Sequence, residues 1–229
     1  MSPVRFVLFG RGRSGTTALV SLLDNVKDIH CDGEILSRPV LLPQLYLQSC
    51  CANSHANVYG CKILSYHIRD VQPILKRRRF LNRLDNAGFK IIHLQRRNLF
   101  LHALSNLKAR VFGFYQKKAD GPARSKPITV QLESLLDWVQ RSEQLAKYEL
   151  ELLQGLNILS LTYEDNLQDS SHHQPTVDQI CSFLGVPSSS ATSAYRKQSS
   201  SCWQDEIANY QEVTDFLSKT PYAHYLDDI

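Results

Sequence analysis

Eight consecutive positions, Gly10–Thr17 (GRGRSGTT), hold three glycines, two arginines and three hydroxyl side chains. The apolar run Val4–Phe9 before them predicts a buried strand, and the apolar spacing after them predicts a helix from Gly15 to about Asn25. A glycine-rich turn between a strand and a helix N-terminus gathers backbone N–H groups at the positive end of the helix dipole. The pattern therefore predicts a phosphate-binding loop, with an unliganded tight turn as the plain alternative.

The loop departs from the nucleotide-binding motif G-x-x-x-x-G-K-[ST] at one position. Gly10 and Gly15 have the required spacing, but Thr16 stands where that motif has lysine. A nucleoside triphosphatase would lose its main contact to the β- and γ-phosphates. The cation lies instead at Arg13. This favours a ligand with a single phosphate in the loop, and the Arg13 guanidinium would reach the group that this phosphate carries.

Strand and helix patterns alternate along the chain. The strands predicted from short apolar runs are Val4–Phe9, Val58–Leu64, Phe89–Leu94 and Leu156–Leu161. The helices predicted from amphipathic spacing are Gly15–Asn25, Val71–Leu84, Leu99–Phe114 and Val130–Leu153. Alternation predicts an α/β fold with a central parallel sheet flanked by helices, and a ligand site beyond the carboxyl ends of the strands.

Length and composition set the class of protein. The 229 residues fit a single domain, residues 1–229, and a net charge of +4 argues against general nucleic-acid binding. No apolar run approaches the roughly 18 residues of a membrane span. Six cysteines without metal-ligand spacing, and an N-terminus that runs directly into a predicted strand, favour a reduced, cytoplasmic protein.

The loop resembles the 5′-phosphosulfate loop of sulfotransferases that use 3′-phosphoadenosine 5′-phosphosulfate (PAPS), which has the pattern [K/R]-S-G-[S/T]-[S/T] after a first strand. A second family signature, an Arg and a Ser eight positions apart that hold the 3′-phosphate, is matched by Arg97 and Ser105. The segments "IANYQEV" and "TPYAHYL" also resemble the tail of bacterial and carbohydrate-type members. The resemblance implies the sulfotransferase fold, PAPS as co-substrate, 3′-phosphoadenosine 5′-phosphate (PAP) as product, and no metal.

Two later segments extend the resemblance. "LTYEDN" is similar to the family segment whose tyrosine lies near the adenine, and "YRKQSSSCW" is similar to the late loop over the 3′-phosphate, although Gln198 and Ser201 replace its glycines. The implied cofactor-binding residues are Arg11, Gly12, Arg13, Ser14, Gly15, Thr16, Thr17, Arg97, Ser105, Tyr163, Arg196 and Lys197.

Sulfuryl transfer needs cations at the leaving oxygen and a base at the acceptor hydroxyl. Arg13 is the first cation predicted, and Lys62 is the second, with a surface charge as its alternative. Leu64 stands where cytosolic members have a histidine, so Glu34 is the predicted base, by resemblance to the acidic residue of bacterial and glycan sulfotransferases. Capping of a helix is the alternative for Glu34. Asp32, His30 and His67 remain competitors as the base.

The predicted function is transfer of a sulfuryl group from PAPS to an acceptor hydroxyl on a glycan, a lipid or a small molecule. The alternatives are a P-loop kinase or NTPase, and a non-catalytic module that binds PAP or another nucleotide. The basic run Leu75–Arg83 (LKRRRFLNR) either guides an acidic acceptor or is the solvated face of a helix. The sequence determines neither the acceptor nor the oligomeric state.

Overall fold

The computed structural model describes residues 3–113, 127–191 and 203–227. They belong to two compact units. The first comprises Met1–Gln95 and Ala146–Ala194, and the second comprises Arg96–Leu145 and Tyr195–Ile229. The single-domain organisation of the chain stays a prediction.

Within the described residues, the first unit contains one sheet of five parallel strands in the order β2-β3-β1-β4-β5. Its strands are β1 (Val4–Gly10), β2 (Ile29–Glu34), β3 (Val58–Leu64), β4 (Phe89–Gln95) and β5 (Ile158–Thr162). The central parallel sheet predicted from the alternating pattern is confirmed. The chain leaves β1 toward β2 and β3 on one side and returns to β4 on the other, so the connections diverge at the carboxyl end of β1. Parallel sheets bind their ligands at such a switch point.

The described helices are α1 (Thr16–Asp24), α2 (Pro43–Asn53), α3 (Arg77–Asn86), α4 (Leu99–Phe112), α5 (Leu132–Leu153), α6 (Tyr163–Asn166), α7 (His173–Leu184) and α8 (Tyr210–Leu217). Short 3₁₀ turns lie at Ser170–His172, Gln204–Glu206 and Ala223–Leu226, and a π-helical turn at His67–Val71. None of the helices in the described residues is both long enough and apolar enough to cross a membrane.

The basic helix predicted over residues 71–84 is wrong at its beginning. The chain is extended at Gln72 (ψ 143°), and α3 starts only at Arg77. Pro73 explains the difference, because proline disfavours helical backbone at the residue before it and cannot donate a helical hydrogen bond. The turn that results, residues 72–76, holds Gln72 in a position that a continuous helix would not give it.

Alternate residues of β1 pack into two separate cores of the first unit. Phe6 and Leu8 lie in the core that includes α1 and α7, whereas Val7 and Phe9 lie in the core that includes α2, α3 and the end of α5. Because all four side chains are fully buried, β1 is covered on both faces, as expected for a central parallel strand. This burial fixes the point from which the glycine-rich loop leaves the sheet.

The second unit has its own core around Phe100 and Trp203, whose rings meet edge to face at 4.9 Å. Asn98 caps α4 by accepting a hydrogen bond from the Leu101 amide at 2.9 Å. Lys108 and Glu206 form an ion pair at 2.8 Å. These contacts fix the start and the middle of the helix that carries Ser105.

Candidate functional site

The glycine-rich loop leaves β1 where strands approach too closely for any side chain. A Cβ at Gly10 would lie 2.2 Å from the Leu94 carbonyl oxygen, so only glycine fits beside β4. Gly15 caps α1 with φ 84°, and a Cβ there would lie 2.7 Å from the Tyr163 ring. Arg13 also has positive φ, 65°, which is uncommon for a residue with a side chain. The backbone conformation of the loop is therefore fixed by positions such as Gly10 and Gly15, where a side chain would not fit.

The loop leads directly into the N-terminus of α1, where backbone N–H groups lack helical acceptors. Ser14 is fully buried at this point, and its Oγ has no hydrogen-bond partner within the described parts of the chain. A buried hydroxyl without a partner is unfavourable unless a ligand or water completes it. Together, the helix N-terminus and the Ser14 hydroxyl provide donors for an anion.

A bulge in β2 determines the direction of the Glu34 side chain. The register with β3 pairs Asp32 with Cys61 and then Glu34 with Lys62, so Gly33 is an extra residue. Because side chains alternate between the faces of a strand, an unbulged β2 would place Asp32 and Glu34 on the same face. The extra residue instead places Glu34 on the same face as Lys62.

Lys62 connects this end of the sheet to the phosphate loop. Its Nζ lies 2.9 Å from Glu34 Oε1 and donates a hydrogen bond to Thr17 Oγ1 at 3.0 Å. The Lys62 side chain is only 3% exposed, whereas that of Glu34 is 31% exposed. The alternative that Lys62 is a surface charge is therefore wrong. A cation, a carboxylate and the first turn of α1 meet at one point.

His67 contributes a second group next to Glu34. Its Nδ1 accepts a hydrogen bond from the Leu64 amide at 3.2 Å, so in the neutral ring the proton resides on Nε2, 3.5 Å from Glu34 Oε2. His67 and then Lys62 hold the pKa of Glu34 at about 2, against the opposing effect of partial burial. The carboxylate is therefore ionised at neutral pH.

Among solved structures, the chain resembles a crystal structure of a sulfotransferase from Alicyclobacillus acidocaldarius, with a TM-score of 0.54 and 15% sequence identity over 99% of this chain and 94% of that chain. The chain has the sulfotransferase fold. A structure of retinol dehydratase in a complex with retinol and PAP has a TM-score of 0.45 and 16% identity, over 96% of this chain and 83% of that chain. No protein-family model and no curated protein matches the sequence.

In this sulfotransferase fold, Arg11 lies beneath the loop instead of at its surface. Its guanidinium is 1% exposed, and Nε lies 3.2 Å from Glu149 Oε2. His93 Nε2 lies 3.3 Å from the same oxygen, and Ser65 donates a 2.6 Å hydrogen bond to Oε1. The Arg11 side chain is therefore part of a buried polar network, and only its backbone remains a predicted ligand of the phosphate.

The remaining residues predicted to bind the nucleotide lie in three segments. Tyr163 is the first residue of α6, and its ring lies against Gly15. Arg97 is exposed just before the Asn98 cap of α4, and Ser105 is half-buried within that helix. The prediction for Arg196 and Lys197 falls outside the described residues. Gly12, Arg13 and Thr16 lie in the loop and first turn already described.

The competing bases differ in their surroundings. Asp32 accepts a hydrogen bond from the Tyr59 hydroxyl at 2.8 Å, and His30 bridges Asp24 and Asp32 at 3.1 Å each. Both side chains are partly exposed and belong to the face opposite Glu34 in the register of β2. His67 is fully buried. In the described parts of the chain, no group of three or more His, Cys, Asp or Glu side chains is arranged to hold a metal ion.

Sequence patterns did not reveal two parts of this region. The residues of β2 (IHCDGE) alternate weakly and contain a glycine, so the strand was not predicted. Glu149 lies in a long amphipathic helix, where its position resembles that of any solvated glutamate. A charge deep in the core has no local sequence signal, because its partners Arg11 and His93 are distant in the chain.

Proposed function

We propose that the protein transfers a sulfuryl group from PAPS to an acceptor hydroxyl, with Glu34 as the base and without a metal. The observation that carries the proposal is the contact of Lys62 with both Glu34 and Thr17, at the N-terminus of α1. It supplies a cation and a proton acceptor beside an anion-binding loop, in a chain with the sulfotransferase fold. We assign the acceptor to the hydroxyls of glycans, lipids or small molecules and the reaction to the cytoplasm, on the sequence argument alone.

The loop suits the 5′ end of the nucleotide. Binding of one phosphate is supported by the conformation fixed by Gly10 and Gly15, by the start of α1, and by the Ser14 hydroxyl, which has no partner among the residues that the structure describes. Thr16 and Thr17 add hydroxyls in the first helical turn. Tyr163, Arg97, Ser105, Arg196 and Lys197 are assigned to the adenosine and its 3′-phosphate by the sequence resemblance alone.

PAPS supplies the sulfuryl group, and PAP leaves with the electron pair of the broken S–O bond. Arg13 and Lys62 stabilise the negative charge that develops on the leaving oxygen. Glu34 accepts the proton of the acceptor hydroxyl as its oxygen bonds to sulfur. A carboxylate with a pKa of about 2 is a weak base while His67 and Lys62 lie against it. If Lys62 Nζ moves to the leaving oxygen, the pKa of Glu34 rises, because one of the contacts that lower it is lost.

Thermal denaturation with nucleotides tests the proposal. PAP at a hundredfold excess over its dissociation constant should stabilise the protein by about 2.7 kcal/mol. AMP and ATP at the same concentration, without magnesium, should stabilise it far less. Arg97→Ala should weaken PAP binding by about 1.5–3 kcal/mol and leave AMP binding nearly unchanged, since AMP lacks the 3′-phosphate.

Two further results would contradict the proposal. Equal stabilisation by AMP and PAP would contradict the predicted 3′-phosphate site. Magnesium-dependent ATP turnover would establish a kinase or NTPase instead. A mass-spectrometric screen of hydroxyl acceptors with PAPS then separates catalysis from binding alone. Tight PAP binding with no acceptor labelled, across glycans, lipids and small molecules, would establish a non-catalytic module.

A further inference from the structure

The first unit exposes apolar side chains in two short segments. Leu41 is 87% exposed and Leu75 is 98% exposed. Leu42, Leu45 and Tyr46 are also exposed, at 58%, 58% and 40%. A single exposed leucine is ordinary, but a concentration of them marks a surface that contacts something else. We call residues 41–46 and 75–79 the leucine-basic surface.

The Gln72 side chain holds the two segments together. Its amide nitrogen donates to the carbonyl oxygens of Leu36 and Arg38 at 2.8 and 2.6 Å, and its Oε1 accepts from the Val40 amide at 3.0 Å. Gln72 is buried, so these bonds are shielded from water. Leu41 directly follows Val40, and Leu75 lies three residues after Gln72. The hydrogen bonds of the buried Gln72 side chain therefore connect the two segments that carry the exposed leucines.

The same surface carries positive charge with almost no compensation. Residues 35–84 contain a single carboxylate, Asp70, and Arg69 binds it through both oxygens. Exposed Lys76 and Arg79 have no ion pair to a carboxylate in the described parts of the chain, and Arg78 donates to the Gln154 carbonyl. Two helices begin here, α2 after Leu42 and α3 after Lys76, and their inner faces pack in the same core. The surface is thus carried by two helices that pack in one core.

We propose that the leucine-basic surface binds an anionic lipid surface. Leucines that reach into the boundary between headgroups and acyl chains, flanked by lysine and arginine against anionic headgroups, are the chemistry that favours such binding. A protein partner with a mainly apolar groove would leave Lys76 and Arg79 without counterions, and a soluble acidic partner would leave the leucines in water. This binding is separate from sulfuryl transfer, and its test needs neither PAPS nor an acceptor.

Sedimentation with vesicles tests the proposal on the full chain. Vesicles of phosphatidylcholine with phosphatidylserine should bind the protein at low salt, and vesicles of phosphatidylcholine alone should bind it far more weakly. Lys76→Gln and Arg79→Gln should each weaken binding to the anionic vesicles about fivefold. Leu41→Gln combined with Leu75→Gln should weaken it about tenfold, since two leucines no longer enter the boundary.

Matched variants on other surfaces serve as controls. Leu150→Gln removes another leucine that is 56% exposed, and Lys27→Gln removes another exposed lysine, so both should leave vesicle binding unchanged. Vesicle binding that the leucine and lysine variants do not weaken would overturn the proposal, as would no binding to anionic vesicles at low salt. Self-association that Leu41→Gln with Leu75→Gln abolishes, measured by analytical ultracentrifugation, would identify a second copy as the occupant instead.

Discussion

Two carboxylates of the first unit each gather a cation and a histidine, but their exposure to solvent differs. The Glu34 side chain is 31% exposed beside Lys62, whereas the Glu149 side chain is 1% exposed beside Arg11. Glu34 lies at the carboxyl end of β2, where ligands of parallel sheets bind. Glu149 lies under the loop, and Ser65 donates a further hydrogen bond to it.

The comparison teaches that a carboxylate–cation contact has two uses. Two charges removed entirely from water must compensate for each other, because neither can be rehydrated. Arg11 and Glu149 are such a pair, and their task is to hold the loop. Glu34 is partly exposed, so Lys62 and Glu34 can exchange their contact for contacts with a ligand. Substitutions at the two carboxylates should therefore separate chemistry from stability.

The largest expected effect is on turnover. Glu34→Gln retains the shape of the side chain and removes the proton acceptor, so sulfate transfer should fall by a factor on the order of 10²–10⁴. PAP affinity, measured by calorimetry, should change little. Asp32→Asn is the control on the opposite face of β2, and it should cost much less. Near wild-type turnover in the Glu34→Gln protein would show that Glu34 is not the base and would leave Asp32, His30 or His67 as the candidates.

The next effect is on stability. Glu149→Ala leaves the Arg11 charge buried opposite a cavity, and we expect the free energy of unfolding to fall by about 3–5 kcal/mol. Urea denaturation followed by circular dichroism measures the loss. Combining Glu149→Leu with Arg11→Met removes both charges and should recover much of it. A Glu149→Ala protein as stable as the wild type would refute the structural role of this pair.

A pair of hydroxyl deletions sharpens the contrast. Ser65→Ala removes a buried donor to Glu149 and should lower the free energy of unfolding by about 1.5–3 kcal/mol. Thr17→Val removes one acceptor of Lys62, which keeps Glu34 as a partner, so it should cost only about 0.5–1.5 kcal/mol. It should also slow turnover, whereas Ser65→Ala should affect stability first. The opposite order of stability losses would contradict the comparison.

The smallest effect is the pH dependence of stability contributed by Glu34. Its pKa is lowered from 4.5 to about 2 in the folded protein, so its ionised form stabilises the fold. The difference in unfolding free energy between wild type and Glu34→Gln should be complete above about pH 4.5. It should close as the pH falls toward 2. Because the Glu34 side chain is 31% exposed and solvent screens its charge, we expect roughly 1 kcal/mol. A difference that stays constant from neutral pH to pH 2 would exclude the ion pair.

Much of the sheet could be predicted from the sequence, because its central strands are short apolar runs between helical patterns. β1, β3, β4 and β5 were found in this way, and the sulfotransferase resemblance was confirmed at the level of the fold. β2 was not found, since its polar residues and Gly33 hide the alternation. The start of α3 was misplaced because the periodic basic residues continue across Pro73, whereas the backbone cannot.

The sequence by itself determined the glycine-rich loop, because the backbone conformation of a turn between a strand and a helix depends on residues that are neighbours in the chain. Gly10, Gly15 and the hydroxyls between strand and helix carry that information locally. Only the tertiary structure decided which charges work together. Glu34 faces Lys62 through a bulge, and Arg11 is buried against Glu149 from a distant helix. Such pairings depend on sheet register and on packing between segments far apart in sequence, and neither has a local signal.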